Sequence, residues 1–330
     1  MITPAFSLTA TERVLPKLAL NFTTASLDSR ITFTRSGNTA TVINSSGVIV
    51  AVNADIPRFD YNPTTLVCNG LLIEESRINA LVNSLLDGTS LTTQTVVVTA
   101  AARTLSFYGT GTIVLSGTAS ATVVGTGSYP SRQTYTFTPT AGSLILTVTG
   151  TVQFAQLELG AFATSYIPTT IATTRNADVA TMTGANFSDW FNASEGTFVA
   201  HASIPSNGAL ARRILSINDT TVGESIQLAL NSTGTNGYFE MRDNAAIQVS
   251  TTSGSFSAGA LIGYAFAYKL NSCAVSANAA ASTVDTVATI PTVSQMNIGA
   301  HIGSYMNGSV SRVEYYPQRV INAQTQAFSK

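Results

Sequence analysis

Acid–base chemistry would need carboxylates that converge on one bond, and the sequence offers few candidates for such a pair. Glycoside hydrolysis uses two carboxyl groups about 5–10 Å apart. Glu74 and Glu75 are the one adjacent pair among the 17 acidic residues of the chain. On a strand their side chains point to opposite faces, and at a helix start both favour the positive dipole end. We therefore expect a structural role, with Arg58 or Arg77 as salt-bridge partner.

The histidines and cysteines do not form a recognisable catalytic or zinc motif. His201 and His301 are the two histidines of the chain, and neither accompanies the Gly-x-Ser-x-Gly signature of a serine nucleophile. Both are expected on strand faces. Cys68 and Cys273 lie far apart, give no zinc spacing and are expected to be free buried thiols. These residues predict a protein that is not an enzyme and has no catalytic residues.

The composition excludes several other classes of function. The chain has 330 residues, a formal net charge of -1 and 10% charged residues, against about 25% in an average globular protein. Nucleic-acid binding needs a basic surface, which this charge balance does not supply. The longest apolar runs, Leu144–Val148 and Tyr264–Tyr268, fall far short of the roughly 18 residues of a membrane span. No secretory signal is visible at the N-terminus. We expect neither nucleic acid nor membrane insertion.

The elements that must position any site are predicted to be strands. Thr, Val, Ile, Phe and Tyr alternate with small polar residues, and Gly or Asn recurs every eight to twelve positions, which is typical of antiparallel sandwiches. Helical periodicity is confined to Glu75–Leu86 and Asn322–Phe328. The predicted fold class is all-β, with a small N-terminal β module followed by two antiparallel β-sandwich (jelly-roll) domains.

Turn residues and composition divide the chain into four segments. These are an N-terminal arm and attachment module over 1–85, a small sandwich over 86–170, a linker over 171–183 and a larger jelly roll over 184–330. The linker is rich in Thr and Ala, and little in it is expected to pack.

Three sets of residues resemble sequences of known proteins. An ordered triplet consists of Leu27–Arg35, Pro57–Tyr61 and Gly70–Asn79, and it resembles the N-terminal module of tailed-bacteriophage head-spike, fibre and related virion surface proteins. A second pattern consists of Gln156–Gly160 followed by Ala163–Thr169, and it resembles the closing strand of carbohydrate-binding-module-like sandwiches. The last segment contains Trp190–Phe198, Ala265–Lys269 and Val313–Pro317, and it is similar to concanavalin A/laminin G-like jelly rolls.

The resemblance implies a non-enzymatic structural protein on the virion surface, made in the cytoplasm of a bacterial host. It could be a head fibre or spike, a decoration protein or a tail-fibre-type appendage. Its partners would be capsid, neck or tail proteins and further copies of itself, with a trimer implied by the resemblance alone. An alternative is a tail adhesin that binds host surface glycan. A glycan hydrolase is a remote alternative, since tailspike depolymerases carry a repetitive β-helix and no such repeat occurs here.

Sugar binding is the main functional use of such sandwiches, and it relies on aromatic faces flanked by polar groups. Tyr108, Tyr129, Tyr238 and Tyr305 lie beside predicted turns and are candidates for exposed aromatic contacts. Trp190 is the one tryptophan, but its place among Phe187 and Phe191 also favours core packing.

Calcium is the one ion that the resemblance suggests, because laminin G-like jelly rolls often bind it. Calcium takes six to eight oxygen ligands from carboxylates, amides and carbonyls. Asn218, Asp219 and Asp243 end two predicted strands and could share one rim. Polar turn residues would explain the same pattern, and no other cofactor is expected.

The N-terminal arm is the candidate attachment segment. Its apolar residues do not form one helical stripe, and Pro4 and Pro16 interrupt it. An extended arm could add to the sheet of a neighbour or pack on its own first domain. The attachment candidates are Ile2, Phe6, Leu8, Val14 and Leu15.

Overall fold

A computed structural model of the chain describes residues 15–205 and 212–330, and its regular elements are almost all antiparallel strands. The predicted all-β, sandwich-type fold class is confirmed. A turn of 3-10 helix spans Phe22–Thr24. The strands of the first segment are β1 (Leu18–Asn21), β2 (Thr32–Thr34), β3 (Ala40–Ile43), β4 (Ile49–Val52), β5 (Phe59–Tyr61), β6 (Cys68–Ile73) and β7 (Arg77–Asn79).

The second segment forms a small sandwich with its own core. Its strands are β8 (Gln94–Val98), β9 (Arg103–Tyr108), β10 (Thr112–Gly117), β11 (Ala121–Val124), β12 (Gln133–Phe137), β13 (Gly142–Thr149) and β14 (Gln153–Leu159). One sheet has the order β11-β10-β13-β8 and the other the order β12-β9-β14. Apolar residues at every second position, such as Ile113 and Leu115 on β10, point between the sheets and form the core.

The remaining residues supply most of a larger sandwich. Two short helices, α1 (Ala185–Ser188) and α2 (Asn322–Phe328), accompany it. Within the described ranges, no helix has the length and apolar character to cross a membrane. The strands are β15 (Thr173–Arg175), β16 (Val179–Thr183), β17 (Glu195–Ser203), β18 (Arg212–Asn218), β19 (Ser225–Leu230), β20 (Asn236–Asp243), β21 (Ala246–Ser255), β22 (Leu261–Lys269), β23 (Cys273–Ala277), β24 (Thr283–Asp285), β25 (Gln295–Ile298), β26 (Ala300–His301), β27 (Ser304–Tyr305) and β28 (Gly308–Tyr316).

The larger sandwich consists of two sheets that we call the back sheet and the front sheet. The back sheet has the order β24-β23-β22-β17-β28-β6-β5, with β1 also paired to β28. The front sheet has the order β2-β16-β25-β18-β19-β20-β21. Phe198 and Phe266 of the back sheet and Leu228 and Phe239 of the front sheet are fully buried in one core. Residues at alternate positions of the front strands therefore point away from this core.

The first segment does not stand apart as a module, because its strands β1, β2, β5 and β6 belong to the sheets of the larger sandwich. Strand β1 pairs with β28, β2 pairs with β16, and β6 pairs with β28. The segment 171–183 is also not a linker: β16 lies between β2 and β25 in the front sheet, with Ala180 and Met182 buried. Its alternation of small and apolar residues is short, but it matches a strand with one buried face.

A buried group of charged side chains holds the first segment and residues 171–183 together. We call it the ion cluster. The carboxylate of Asp178 pairs with both Arg35 and Arg58, while Glu74 pairs with Arg58 at 2.8 Å and with Arg175 at 2.9 Å. All five residues are buried. The expected Glu74–Arg58 pair is confirmed, and Glu75 pairs with Arg77 at 2.5 Å.

Candidate functional site

The outer face of the front sheet carries a straight line of polar side chains that we call the polar row. The strand register places its members opposite one another, on neighbouring strands from β25 to β21. Their sequence neighbours, such as Ile226 and Leu228, are fully buried in the core. Period-2 alternation thus turns the polar side chains away from it. The row consists of Asn297, Ser216, Gln227, Glu240 and Ser250.

Several polar atoms in and beside the polar row are buried and have no partner. They are two acceptors, Asn297 Oδ1 and Gln227 Oε1, the Nε and Nη1 donors of Arg213, and His301 Nε2. Buried polar groups without partners are rare because each costs about 1–3 kcal/mol. Since donors and acceptors lie together, a ligand that both donates and accepts would satisfy them, as a sugar hydroxyl does.

Tyr238 and Arg242 form the accessible edge of the row and are fixed by Glu240. The Tyr238 hydroxyl donates to Glu240 Oε2 at 2.5 Å, and Arg242 Nε donates to Glu240 Oε1 at 2.7 Å. The Arg213 guanidinium lies 6.0 Å from the centre of the Tyr238 ring. Both edge residues are half-buried, so the ring and the guanidinium are positioned in advance and remain partly open to a ligand.

The hairpin β26–β27 contributes His301 to this face. A ring nitrogen of His301, Nδ1, lies 2.7 Å from the Ser216 hydroxyl, which fixes the imidazole against the row. Burial lowers the pKa of His301 to about 4, and the positive charge of Arg213 acts in the same direction. The imidazole is therefore neutral at neutral pH and presents a polar, uncharged group beside the row.

Glu240 is an ionised carboxylate rather than a proton donor. Burial would raise its pKa, but hydrogen bonds from Arg242 and Tyr238 outweigh burial and leave the pKa lowered. A general acid in glycoside hydrolysis needs the opposite shift. The arrangement is suited to orienting neighbours and to binding hydroxyl groups.

The other aromatic candidates lie elsewhere. Trp190 is 3% exposed and packs against Phe187, Phe198 and Tyr315, so it belongs to the core. Tyr238 is thus the one sugar-contact candidate of the sequence that lies beside the polar row.

Tyr108 is buried rather than exposed as expected, and it packs against Tyr129 beside a cavity. Their ring centres are 5.2 Å apart, and the Tyr129 hydroxyl donates to the Gly47 carbonyl at 2.6 Å. Tyr108 and Arg132 line a cavity of about 220 Å³ between the first segment and the small sandwich. Tyr305 lines a separate cavity, which is described below.

The calcium candidates share one end of the front sheet but are already bonded. Asn218 is fully buried, and its Oδ1 accepts from Thr220 N and Gln295 Nε2. Asp219 accepts from Thr221, and Asp243 accepts from Asn244 and Thr289. In residues 15–205 and 212–330, no group of three or more His, Cys, Asp or Glu side chains is arranged to hold a metal. The observed bonds are those of polar turn residues.

The attachment candidates Ile2, Phe6, Leu8 and Val14 lie outside the described residues. Leu15 is described and is 66% exposed, just before β1 joins the back sheet. An exposed leucine at this position is compatible with a contact to another protein.

Sequence reasoning missed most of the polar row. The segment Ser225–Leu230 alternates polar and apolar residues, which is a readable signal for one polar strand face. The register that aligns Gln227 with Ser216 and Glu240 joins strands that are distant in sequence, and no local pattern reveals it.

Comparisons with known proteins give likeness in structure alone. No model of a known protein family matches the sequence, and neither does any curated protein sequence. The CBM40 domain of the Ruminococcus gnavus IT-sialidase, solved with α2,3-sialyllactose, matches with a TM-score of 0.36 and 15% identity, over 42% of this chain and 84% of that one.

Two whole sialidases show a similar degree of likeness. The Streptococcus pneumoniae NanB sialidase matches with a TM-score of 0.37 and 13% identity over 44% of this chain. The Trypanosoma rangeli sialidase matches with a TM-score of 0.36 and 17% identity over 46% of this chain. In both cases the match spans 26% of the sialidase chain.

Proposed function

We propose that this protein is a non-catalytic glycan-binding protein and that the polar row of the front sheet, with Tyr238 and Arg242, is its binding face. The unpartnered buried atoms of Gln227, Asn297 and Arg213 carry the proposal. Sugar hydroxyls donate and accept hydrogen bonds at once, which matches this mixed set. The Tyr238 ring supplies the apolar contact that orients a pyranose.

The binding mechanism rests on preorganisation. Glu240 fixes Tyr238 and Arg242, so little side-chain entropy is lost when a sugar binds. His301 remains neutral and adds a polar contact from the hairpin. Among the described residues that hydrogen-bond within the row, Glu240 is the one carboxylate, and this supports binding without hydrolysis.

A glycan array followed by titration calorimetry tests the proposal. The intact protein should bind one or more oligosaccharides. Tyr238→Ala should weaken that binding by about tenfold or more, because it removes an aromatic contact and a hydrogen-bond anchor. Tyr61→Ala, on the edge strand β5, is the matched control and should leave affinity unchanged. Equal loss in both variants, or no bound glycan at all, would contradict the proposal.

We further propose that the protein is displayed on a tailed-bacteriophage particle, as a head fibre or spike, a decoration protein or a tail-fibre-type appendage. The sequence triplet described above supports this setting. The glycan would then be a host surface glycan, and several copies would multiply weak sites. Copy counting in electron micrographs of the intact particle tests the location. Complete absence of the chain from the particle would contradict it.

Self-assembly is part of the same proposal. A trimer is the expected state, with the exposed Leu15 region at a contact between copies. Sedimentation of the purified protein measures this directly. A monomer at all concentrations would contradict the proposed assembly while leaving glycan binding untouched.

A further inference from the structure

A separate cavity of about 270 Å³ lies where the small sandwich meets the larger one. Glu75, Phe162 and Arg212 line it, together with Ser304, Tyr305 and Asn307 of the hairpin region. No member of the polar row lines it. Ligand pockets for drug-sized molecules span about 300–1,000 Å³, so this cavity has room for a single sugar ring rather than a chain.

Arg212 brings an unsatisfied charge to this cavity. The residue is 2% exposed, and Nη1 donates to the Met306 carbonyl at 3.3 Å. Its Nε and Nη2 are buried without a partner. These two atoms form one edge of the guanidinium, the edge that a carboxylate binds through two parallel hydrogen bonds. A buried charge without such bonds is costly, which makes this edge a receptor for an anion.

The acidic residue of the cavity is already engaged elsewhere. Glu75 accepts from Arg77 Nε at 2.6 Å and from Asn307 Nδ2 at 3.2 Å. Phe162 lies between the two arginines, with its ring centre 4.5 Å from the Arg77 guanidinium and 4.2 Å from that of Arg212. Arg77 is thus paired by Glu75, whose negative charge also acts on Arg212 without a hydrogen bond, and the buried Nε and Nη2 atoms of Arg212 stay without a hydrogen-bond partner.

We propose that this cavity binds the carboxylate of an acidic sugar residue, with the Nε–Nη2 edge of Arg212 as its receptor. The inference rests on the proposed glycan-binding function and adds an acidic subsite to it. Tyr305 and Asn307 bring a hydroxyl and an amide group that suit the hydroxyls of the same ring. The stack on Phe162 holds the Arg212 guanidinium flat, so its edge is oriented before the ligand arrives.

A matched pair of variants at Ser304 tests the proposal with D-glucuronate as the probe and D-glucose as its uncharged counterpart. Ser304 lies on the hairpin at the cavity and is half-buried. Ser304→Asp places a negative charge beside the site, and Ser304→Asn has nearly the same shape without the charge. Saturation-transfer NMR and calorimetry on the full chain report binding, and thermal unfolding confirms that each variant is folded.

We expect D-glucuronate to bind the intact protein and D-glucose to bind at least tenfold more weakly. Ser304→Asp should abolish glucuronate binding, and Ser304→Asn should retain it. Arg212→Lys, which keeps the charge but loses the two-pronged edge, should weaken binding about tenfold. Absence of glucuronate binding, or equal binding by both Ser304 variants, would overturn the proposal. Inorganic phosphate that binds as well as glucuronate would overturn the assignment to a sugar acid.

The test separates this site from the polar row. Tyr238→Ala should leave glucuronate binding intact, because Tyr238 does not line the cavity. Loss of array binding in Tyr238→Ala with unchanged glucuronate binding would support both sites. Glucuronate binding that depends on Tyr238 and not on Ser304 would overturn the acidic subsite and leave the proposed function standing.

Discussion

Asp178 has a role in the fold that its surroundings in the sequence do not suggest. One oxygen accepts from Arg35 at 3.0 Å, and the other accepts from Arg58 and from the Glu74 backbone N–H. The side chain is fully buried. Arg35 and Asp178 are 143 positions apart, so their contact depends on the completed fold and could not be predicted locally. The Glu74–Arg58 pair could be predicted from the sequence, because both residues lie in the ordered triplet that resembles virion surface proteins.

Replacing Asp178 with Asn should destabilise the protein by about 3–5 kcal/mol, because it leaves buried arginines without a counter-charge. Asp28→Asn is the control: Asp28 pairs with Arg30 at 2.8 Å on the surface, where an ion pair is worth about 0–1 kcal/mol. Urea unfolding measures both changes. Similar losses in the two variants would show that the ion cluster contributes no more than a surface pair.

Glu74 should make the protein sensitive to acid. Burial would raise its pKa, but the charges of Arg175 and Arg58 and hydrogen bonds from Ser165 outweigh burial and lower it to about 2. A carboxyl whose pKa is lowered in the folded state stabilises that state above its unfolded pKa, and this stabilisation is lost on acidification. The free energy of unfolding should fall from about pH 4.5 to about pH 2, by about 3 kcal/mol from this residue. A flat profile over this range would contradict the prediction.

Asp60 should change the stability of the protein with pH in the opposite direction to Glu74. Burial raises its pKa to about 6, although hydrogen bonds from Asn69 and Ile43 partly offset this. The folded state then binds a proton that the unfolded state has released, so stability falls as pH rises from about 4 to about 6. Asp60→Asn should remove this fall and raise stability at pH 7 by at most about 3 kcal/mol. Unfolding curves of both proteins at a series of pH values measure the difference. A variant that is less stable at pH 7 would contradict the assignment.

At the scale of elements, Gly70 illustrates how tightly the first segment is built into the back sheet. Its φ is +114°, and a Cβ atom there would lie 2.1 Å from the Val310 carbonyl oxygen on β28. The strand β6 can therefore approach β28 only with glycine at this position. The sequence shows the glycine between strand-like residues but does not show which backbone it meets.

Gly70→Ala should destabilise the protein by about 3 kcal/mol or more, since both backbone strain and a clash with β28 oppose it. Gly259 also has a positive φ, of +76°, but has no neighbour within 4 Å of a new Cβ. Gly259→Ala should cost only about 1 kcal/mol from strain alone. Thermal unfolding of the two variants separates these contributions. A milder effect at Gly70 than at Gly259 would contradict the packing described here.

The strands were largely predictable from alternation and turn residues, and the gaps in prediction have physical causes. The segment from Val179 to Thr183 has only two buried side chains, Ala180 and Met182, which is a weak periodic signal. Arg175 and Asp178, which precede it, look like solvated charges in sequence, but both are fully buried in the fold. The polar row is predictable strand by strand and not as a row, because register is set by pairing between distant strands.

At the scale of the whole molecule, the segment 184–330 should not fold independently. It lacks β1 and β6, which pair with β28, and β16, which pairs with β25. Separating this fragment from the rest of the chain would expose buried residues such as Val310 and Met296. We expect the isolated fragment to show no cooperative thermal transition, whereas the full chain should show one. A fragment that unfolds cooperatively would contradict the shared-sheet architecture.

The central claim is that the outer face of the front sheet binds glycan, and the structure of a complex tests it most directly. The protein would be crystallised with the strongest oligosaccharide from the array. The account predicts a sugar ring against Tyr238, with hydroxyls bonded to the unpartnered atoms of Arg213, Gln227 and Asn297. A glycan bound elsewhere on the molecule, with the polar row untouched, would contradict it.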